Sequence, residues 1–205
     1  MVRNGDMMEN SPILQWIRTN EIKIPEKRLR SKFSSFRAKL FQSSIKNEGI
    51  LQPIHVVEDE YGVKWLVDGE NRLRQWVKEG RNIVPAIVKK GTKLDAMLGS
   101  AQHNLLRGKV NPADLSEFLA YLHNKLGFTY SKIREIFQFS EGHISLLVKL
   151  AGDQELLEKV RKKEISLKEA KIRLSSSTVK PISSEKPPFA ESVQKQPSLE
   201  EPKKI

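Results

Sequence analysis

The chain has 205 residues, with 36 Lys and Arg against 25 Asp and Glu, a formal charge of +11 and no cysteine. The missing thiols exclude thiol catalysis, disulfides and cysteine-held zinc or iron–sulfur clusters, and the positive surplus suits a polyanionic partner, nucleic acid first, better than an acidic small molecule. The length suits one full core and a second small module. No run approaches the ~20 apolar residues of a membrane span and the N-terminus has no apolar signal core, so the expected setting is soluble and cytoplasmic, without a membrane partner.

Residues 1–12 read as a mobile leader, and residues 1–20 are set apart as flexible, although ILQWIRTNEIKIP (Ile13–Pro25) already reads as a short strand or helix closed by Pro25. In EKRLRSKFSSFRAK the basic side chains suit phosphate contact, whereas Phe33 and Phe36 at helical spacing mark a buried face. Leu40, Phe41, Ser44 and Ile45 recur at three- and four-residue steps, predicting a helix over 38–48 that ends at Gly49. Two β-rich runs, Ile54–Val57 and Lys64–Val67, flank an acidic turn at Asp59–Gly62 and predict a hairpin.

The stretch LVDGENRLRQW (Leu66–Trp76) joins that second strand through Asp68-Gly69 to a helix. A turn glycine, free amides at a helix start and Arg72 outline an anion site; a strand, a turn and an ordinary solvated helix is the alternative. A further strand spans Val84–Val88, where Pro85 predicts a sheet edge or a strand's first residue. A helix over 93–107 carries Gln102-His103-Asn104 just before Leu105-Leu106-Arg107. These elements predict an α+β domain over 21–108.

After Gly108 the pattern is purely helical. Asn111-Pro112 starts one helix, Thr129 caps a second over 130–137, and Ser140 caps a third over 141–150; the last two, with Ile133, Ile144, Leu147 and Leu150 inward, match a helix-turn-helix. Two short amphipathic helices broken near Ile165, with Ser166 as cap, complete an all-α module over 109–174. Residues 175–205, rich in Ser, Pro and charge, read as a disordered tail.

Three strings in order, GILQP (Gly49–Pro53), DGENR (Asp68–Arg72) and HNLLR (His103–Arg107), followed by the helix-turn-helix, resemble the ParB partition family, whose N-terminal domain shares its fold with sulfiredoxin. The likeness runs from about Ile22 to Leu174. It implies a nucleotide-binding domain of ParB/sulfiredoxin-like α+β fold in which the strings surround the triphosphate of CTP with Mg²⁺. Nucleotide and specific DNA would then close a homodimer into a sliding clamp. By motif match, Gly49, Gln52 and Pro53 form one wall, Gly69, Glu70 and Arg72 the phosphate turn, and Asn104 and Arg107 the metal and phosphate contacts, with Asn104 as metal ligand. Asn71 stands where the family commonly has a second arginine and His103 where it has an acid, departures that count against Mg²⁺ and CTP turnover.

For DNA, Ser140, Glu141, Gly142, His143 and Ser145 open the recognition helix, with Glu141 suited to accept from a cytosine amino group, and Lys132, Arg134 and Lys149 bracket the backbone. A helical bundle that merely packs is the alternative. The expected partners are double-stranded DNA, a second copy whose pairing is ligand-induced or built from the first two modules, and a ParA-type ATPase. The expected location is at the nucleoid or a plasmid. A metal-dependent nuclease using Asp68 and Glu70, and an adaptor with an inert clamp fold, are the competing functions; sulfiredoxin chemistry is excluded for want of cysteine.

Overall fold

A computed structural model describes residues 11–29, 35–108 and 110–176. The described residues form β1 (Ile13–Arg18), a 3₁₀ turn (Thr19–Glu21), β2 (Ile22–Lys23), α1 (Ser35–Glu48), β3 (Ile54–Glu58), β4 (Lys64–Asp68), α2 (Glu70–Lys78), β5 (Ile83–Lys90) and α3 (Lys93–Leu106). Five helices follow: α4 (Pro112–Asn124), α5 (Tyr130–Phe137), α6 (Glu141–Gly152), α7 (Gln154–Arg161) and α8 (Leu167–Ser176). Residues 1–10, Phe33 and residues 177–205 lie outside the described residues, as does the Phe36 side chain, so the expectations for a mobile leader before Ser11, for a Phe33–Phe36 face and for most of the tail fall there. Ser175 and Ser176 still belong to α8.

The sheet order is β1-β5-β3-β4-β2. The predicted hairpin is present: β3 and β4 pair antiparallel, and Asp59 Oδ1 accepts the N–H groups of Tyr61 and Val63 at 3.0 and 2.9 Å to fix its turn. Alternation sends Ile54, Val56 and Leu66 to one face, where they meet Ile45 of α1 and Leu73 and Trp76 of α2. The opposite face of β3 and β4 carries α3, which approaches so closely that a methyl on Gly99 would stand 3.1 Å from Val67 Cγ1.

Two expectations need correction. Ile13–Arg18 is not a flexible leader but a full strand, since its apolar residues pair with β5 and Ile17 joins the core. Pro85 is neither at the sheet edge nor first in its strand, because β5 runs parallel to β3 on one side and antiparallel to β1 on the other. The physical reason is local: the ladder to β3 begins only at Ile54↔Ala86, so at Pro85 the strand has just one neighbour, Trp16 of β1, and the missing N–H costs little.

The helical half is set by its caps. Asn111 Oδ1 accepts from Ala113 N–H with Pro112 at the first position of α4, Thr129 Oγ1 accepts from Lys132, Ser140 Oγ from His143 and Ser166 Oγ from Glu169. A second apolar cluster joins α4, α5 and α6, through Phe118, Leu119, Leu122, Ile133 and Leu147 among others, to Met97 and Ala101 of α3 and to Leu29. One helix, α3, therefore serves both the sheet and the helical core.

Candidate anion-binding site

Gly69 turns the chain from β4 into α2 with φ +98°, a left-handed conformation natural to glycine. A methyl there would stand 2.7 Å from Ile54 Cγ2 and 3.1 Å from Arg72 Nε and Nη2. No side chain caps the start of α2, so its first-turn amides stay available to an anion.

Arg72 is the centre of the arrangement, its side chain only 12% exposed. Nη1 donates to the carbonyls of Gln52 at 2.5 Å and Pro53 at 2.7 Å, and Nη2 to Asp68 Oδ2 at 2.8 Å. The same Asp68 oxygen accepts from Arg107 Nη2 at 2.7 Å. Two guanidinium groups on one carboxylate thus pull together the strings at 49–53, 68–72 and 103–107. Burial pushes the Asp68 carboxyl up, but the Arg107 hydrogen bond and the two arginine charges outweigh it and hold the group below the usual carboxylate range. Arg107 is half exposed.

Beside this node, Glu70 pairs with Arg74, Nε to Oε1 at 2.7 Å, and with Arg28, whose side chain is 5% exposed and whose Nε has no hydrogen-bond partner among the described residues. Burial raises the Glu70 carboxyl, and the two arginines more than reverse it. Four arginines against two carboxylates leave a local surplus of two positive charges. His55 on β3 meets His103 on α3 edge to face, ring centres 5.5 Å apart. Burial first, then His103, Arg72 and Arg107, lower the His55 pKa against the opposing pull of Asp68.

Of the residues singled out in the sequence, Gln52, Pro53, Gly69, Arg72 and Arg107 meet at the node and Glu70 adjoins it. Gly49 closes α1 with its N–H on the Ile45 carbonyl and stands over the Trp76 ring, apart from the hydrogen bonds that make the node. Asn104 spends its amide on the carbonyls of Leu29 at 2.8 Å and Ser100 at 3.0 Å, which ties α3 to the segment ahead of residue 30. Sequence reasoning missed His55, had Arg28 only as one of a basic run suited to phosphate contact, and gave Asp68 only a nuclease role. His55 carried one usable signal, a lone polar residue in the otherwise apolar run Ile54–Val57.

In the helical half, Lys132, Arg134, Ser140, Glu141, Gly142 and Lys149 are exposed and His143 and Ser145 half-buried. Arg134 Nη1 lies 3.3 Å from Glu141 Oε1, so the acid at the start of α6 is already matched by a cation from α5. Gln138 makes the turn between them in the left-handed region, φ 59°.

The sequence pattern of the ParB N-terminal domain matches residues 4–105. Through that domain the chain belongs to the ParB family. A chromosome-partitioning ParB from Myxococcus xanthus is 33% identical over 104 residues, 51% of this chain and 35% of that protein, and a probable ParB from Rickettsia typhi is 26% identical over 162 residues, 78% and 55%. The chain spans about a third to a half of the length of these relatives. Among solved ParB structures, the truncated Caulobacter crescentus protein complexed to the centromeric parS site superposes with a TM-score of 0.55 at 20% identity, covering 78% of this chain and 84% of that one. A pNOB8-like ParB N-domain gives 0.55 at 14%, covering 83% and 78%. These likenesses establish a shared ParB fold, a mixed α/β sheet domain followed by helices.

Proposed function

We propose that this chain is a DNA-binding partition protein that holds a nucleoside triphosphate, CTP by family resemblance, at the Asp68–Arg72–Arg107 node and a DNA duplex on the α5–α6 pair. The observation that carries the nucleotide part is the convergence of all three strings on the Asp68–Arg72 pair, beside an uncapped helix start. Phosphate oxygens suit the donors there: the first amides of α2, the free donors of Arg107, and the edges of His55 and His103. Arg72 acts from behind, fixing the Gln52–Pro53 carbonyls and the Asp68 turn so that these donors face one point.

The residues suit the triphosphate better than a protein-held Mg²⁺. Asp68 and Glu70 are both committed to arginines, and among the described residues no group of three or more His, Asp or Glu has the arrangement of a metal site. Asn104 keeps only its side-chain oxygen for such a role. The same commitment of both acids speaks against a metal nuclease, which needs clustered free carboxylates.

For DNA, α6 presents His143 and Ser145 with Gly142 at its start, and Lys132 and Lys149 stand to either side as phosphate contacts. The Arg134–Glu141 pair is the element that a cytosine amino group or a phosphate would have to exchange into. The fold relative complexed to the centromeric parS site supports DNA as the partner, and the family supports a homodimeric clamp, a ParA-type ATPase partner and association with nucleoid or plasmid. Calorimetry with each of the four nucleoside triphosphates, with and without DNA, tests the reading. Heat with CTP that vanishes in Arg107→Ala is expected; no heat with any of them would leave an adaptor with an inert clamp fold.

A further inference from the structure

Among the described residues the sheet has two outer strands, and they end differently. β2 has two residues, whereas β1 has six, and its register with β5 runs without a break from Ile13↔Val88 to Arg18↔Ile83. A long outer strand offers a row of unpaired amides and carbonyls, which proteins usually guard with charges, prolines or bulges. β1 has none of these between Ile13 and Ile17. Its side chains are also apolar and open: Ile13, Leu14 and Trp16 are 58, 62 and 69% exposed.

We propose that β1 pairs antiparallel with β1 of a second copy of this chain, about a two-fold axis through Gln15, so that two five-stranded sheets become one. The strand itself selects the register. Side chains alternate, so a two-fold axis normal to the sheet brings like faces together and only whole two-residue steps are allowed. Centred on Gln15, Leu14 of each copy lies opposite Trp16 of the other on one face, and Ile13 opposite Ile17 on the other face. All five residues from Ile13 to Ile17 are then paired.

Moving the centre to Trp16 or Ile17 sets Arg18 across from Leu14 or Trp16, and moving it to Leu14 sets Pro12 across from Trp16, whereas centred on Gln15 Arg18 and Pro12 meet each other only beyond the two ends of the five-residue ladder. In the chosen register the two Arg18 side chains lie at opposite ends of the joint and no like charges face each other. An aromatic–aliphatic cross-strand pair made twice is the kind that stabilises a sheet, and an isologous joint of this kind closes as a dimer.

The area of one strand falls below the ~1,200 Å² of a stable interface, so the association is weak and rises with concentration. Two copies of a chain carrying +11 repel, so salt strengthens this pairing while it weakens any DNA complex. That opposite response separates the joint from duplex-mediated bridging. The proposal does not rest on the nucleotide reading.

The chain has no cysteine of its own, which makes the test direct. In Gln15→Cys the two new thiols face each other across the axis with Cβ atoms about 4.5–5.5 Å apart, near the reach of a disulfide. Under mild oxidation of the full chain, the covalent dimer is expected to form about tenfold faster or more than in Tyr61→Cys, at the 83% exposed hairpin tip, because paired strands raise the local thiol concentration. Mixing Leu14→Cys with Trp16→Cys is expected to cross-link faster than either alone. Adding Trp16→Lys to Gln15→Cys is expected to return the rate to that of Tyr61→Cys with an unchanged far-UV spectrum. Equal rates for Gln15→Cys and Tyr61→Cys, or a wild-type sedimentation mass that stays monomeric at every concentration and salt, overturn the proposal, and the edge then belongs to another partner.

Discussion

At the scale of single residues, Arg72 and Arg107 share Asp68 but differ in what their loss does. Arg72 is nearly enclosed and holds two carbonyls and a carboxylate. Arg72→Ala is expected to cost about 2 to 3 kcal/mol of stability, read in urea titrations, as well as nucleotide binding. Arg107 is half exposed with one ion pair, so Arg107→Ala is expected to lose binding while stability changes by less than about 1 kcal/mol. It is the cleaner probe of the site. Gly69→Ala combines a left-handed φ with a 2.7 Å approach to Ile54 and is expected to destabilise by roughly 1 to 3 kcal/mol.

The titrating residues give a pH profile of definite sign. His55 has a lowered folded pKa, so the stability tied to its neutral ring is complete above the unfolded value of 6.5 and declines as the pH falls from there toward the folded value. His55→Gln is expected to flatten that limb of a stability-versus-pH curve. Asp68 and Glu70, also lowered, add a second, more acidic limb: their contribution is present above the ordinary carboxylate range, near 4, and is lost as the pH drops through their folded values.

At the scale of elements, the helices were the most legible part of the sequence, because their ends are written in short-range chemistry. Asn111-Pro112, Thr129 and Ser140 each do in space what their position implied. Ser140→Ala is expected to cost about 1 kcal/mol in thermal melts and to weaken DNA binding by loosening the first turn of α6. The hairpin was equally visible. Strand order was not, since β1 meets β5 and β5 meets β3 across long stretches of chain that no local pattern encodes, and Pro85 misled for that reason. The site divides the same way. The three strings stood out through their resemblance, but the role of Asp68 as acceptor for both Arg72 and Arg107, the facing of His55 and His103, and the Arg28–Glu70 pair depend on pairings between distant elements.

At the scale of the whole molecule, α3 joins what look in sequence like two modules. Met97 and Ala101 sit in the same cluster as Leu119 and Ile133, and Gln102 Nε2 donates to the Ile136 carbonyl at 3.0 Å. The three tryptophans, Trp16, Trp65 and Trp76, all report on the sheet half. Their fluorescence and the far-UV helix signal are therefore expected to melt together, and two separated transitions would show that the halves fold independently. The charge of the whole chain sets a second expectation: DNA affinity falls steeply with salt, and replacing Lys132 or Lys149 by alanine lowers the log–log slope by about 0.9 for each phosphate no longer neutralised.

The tight seat of α3 at Gly99 has a mechanical consequence. With Val67 only 3.1 Å from where a methyl would stand, one added carbon is a wedge under a beam. Unless Val67 gives way by a few tenths of an ångström, that beam must shift, and Gly99→Ala is then expected to be felt in the helical half, which shares its core with α3, far from any charge at the node.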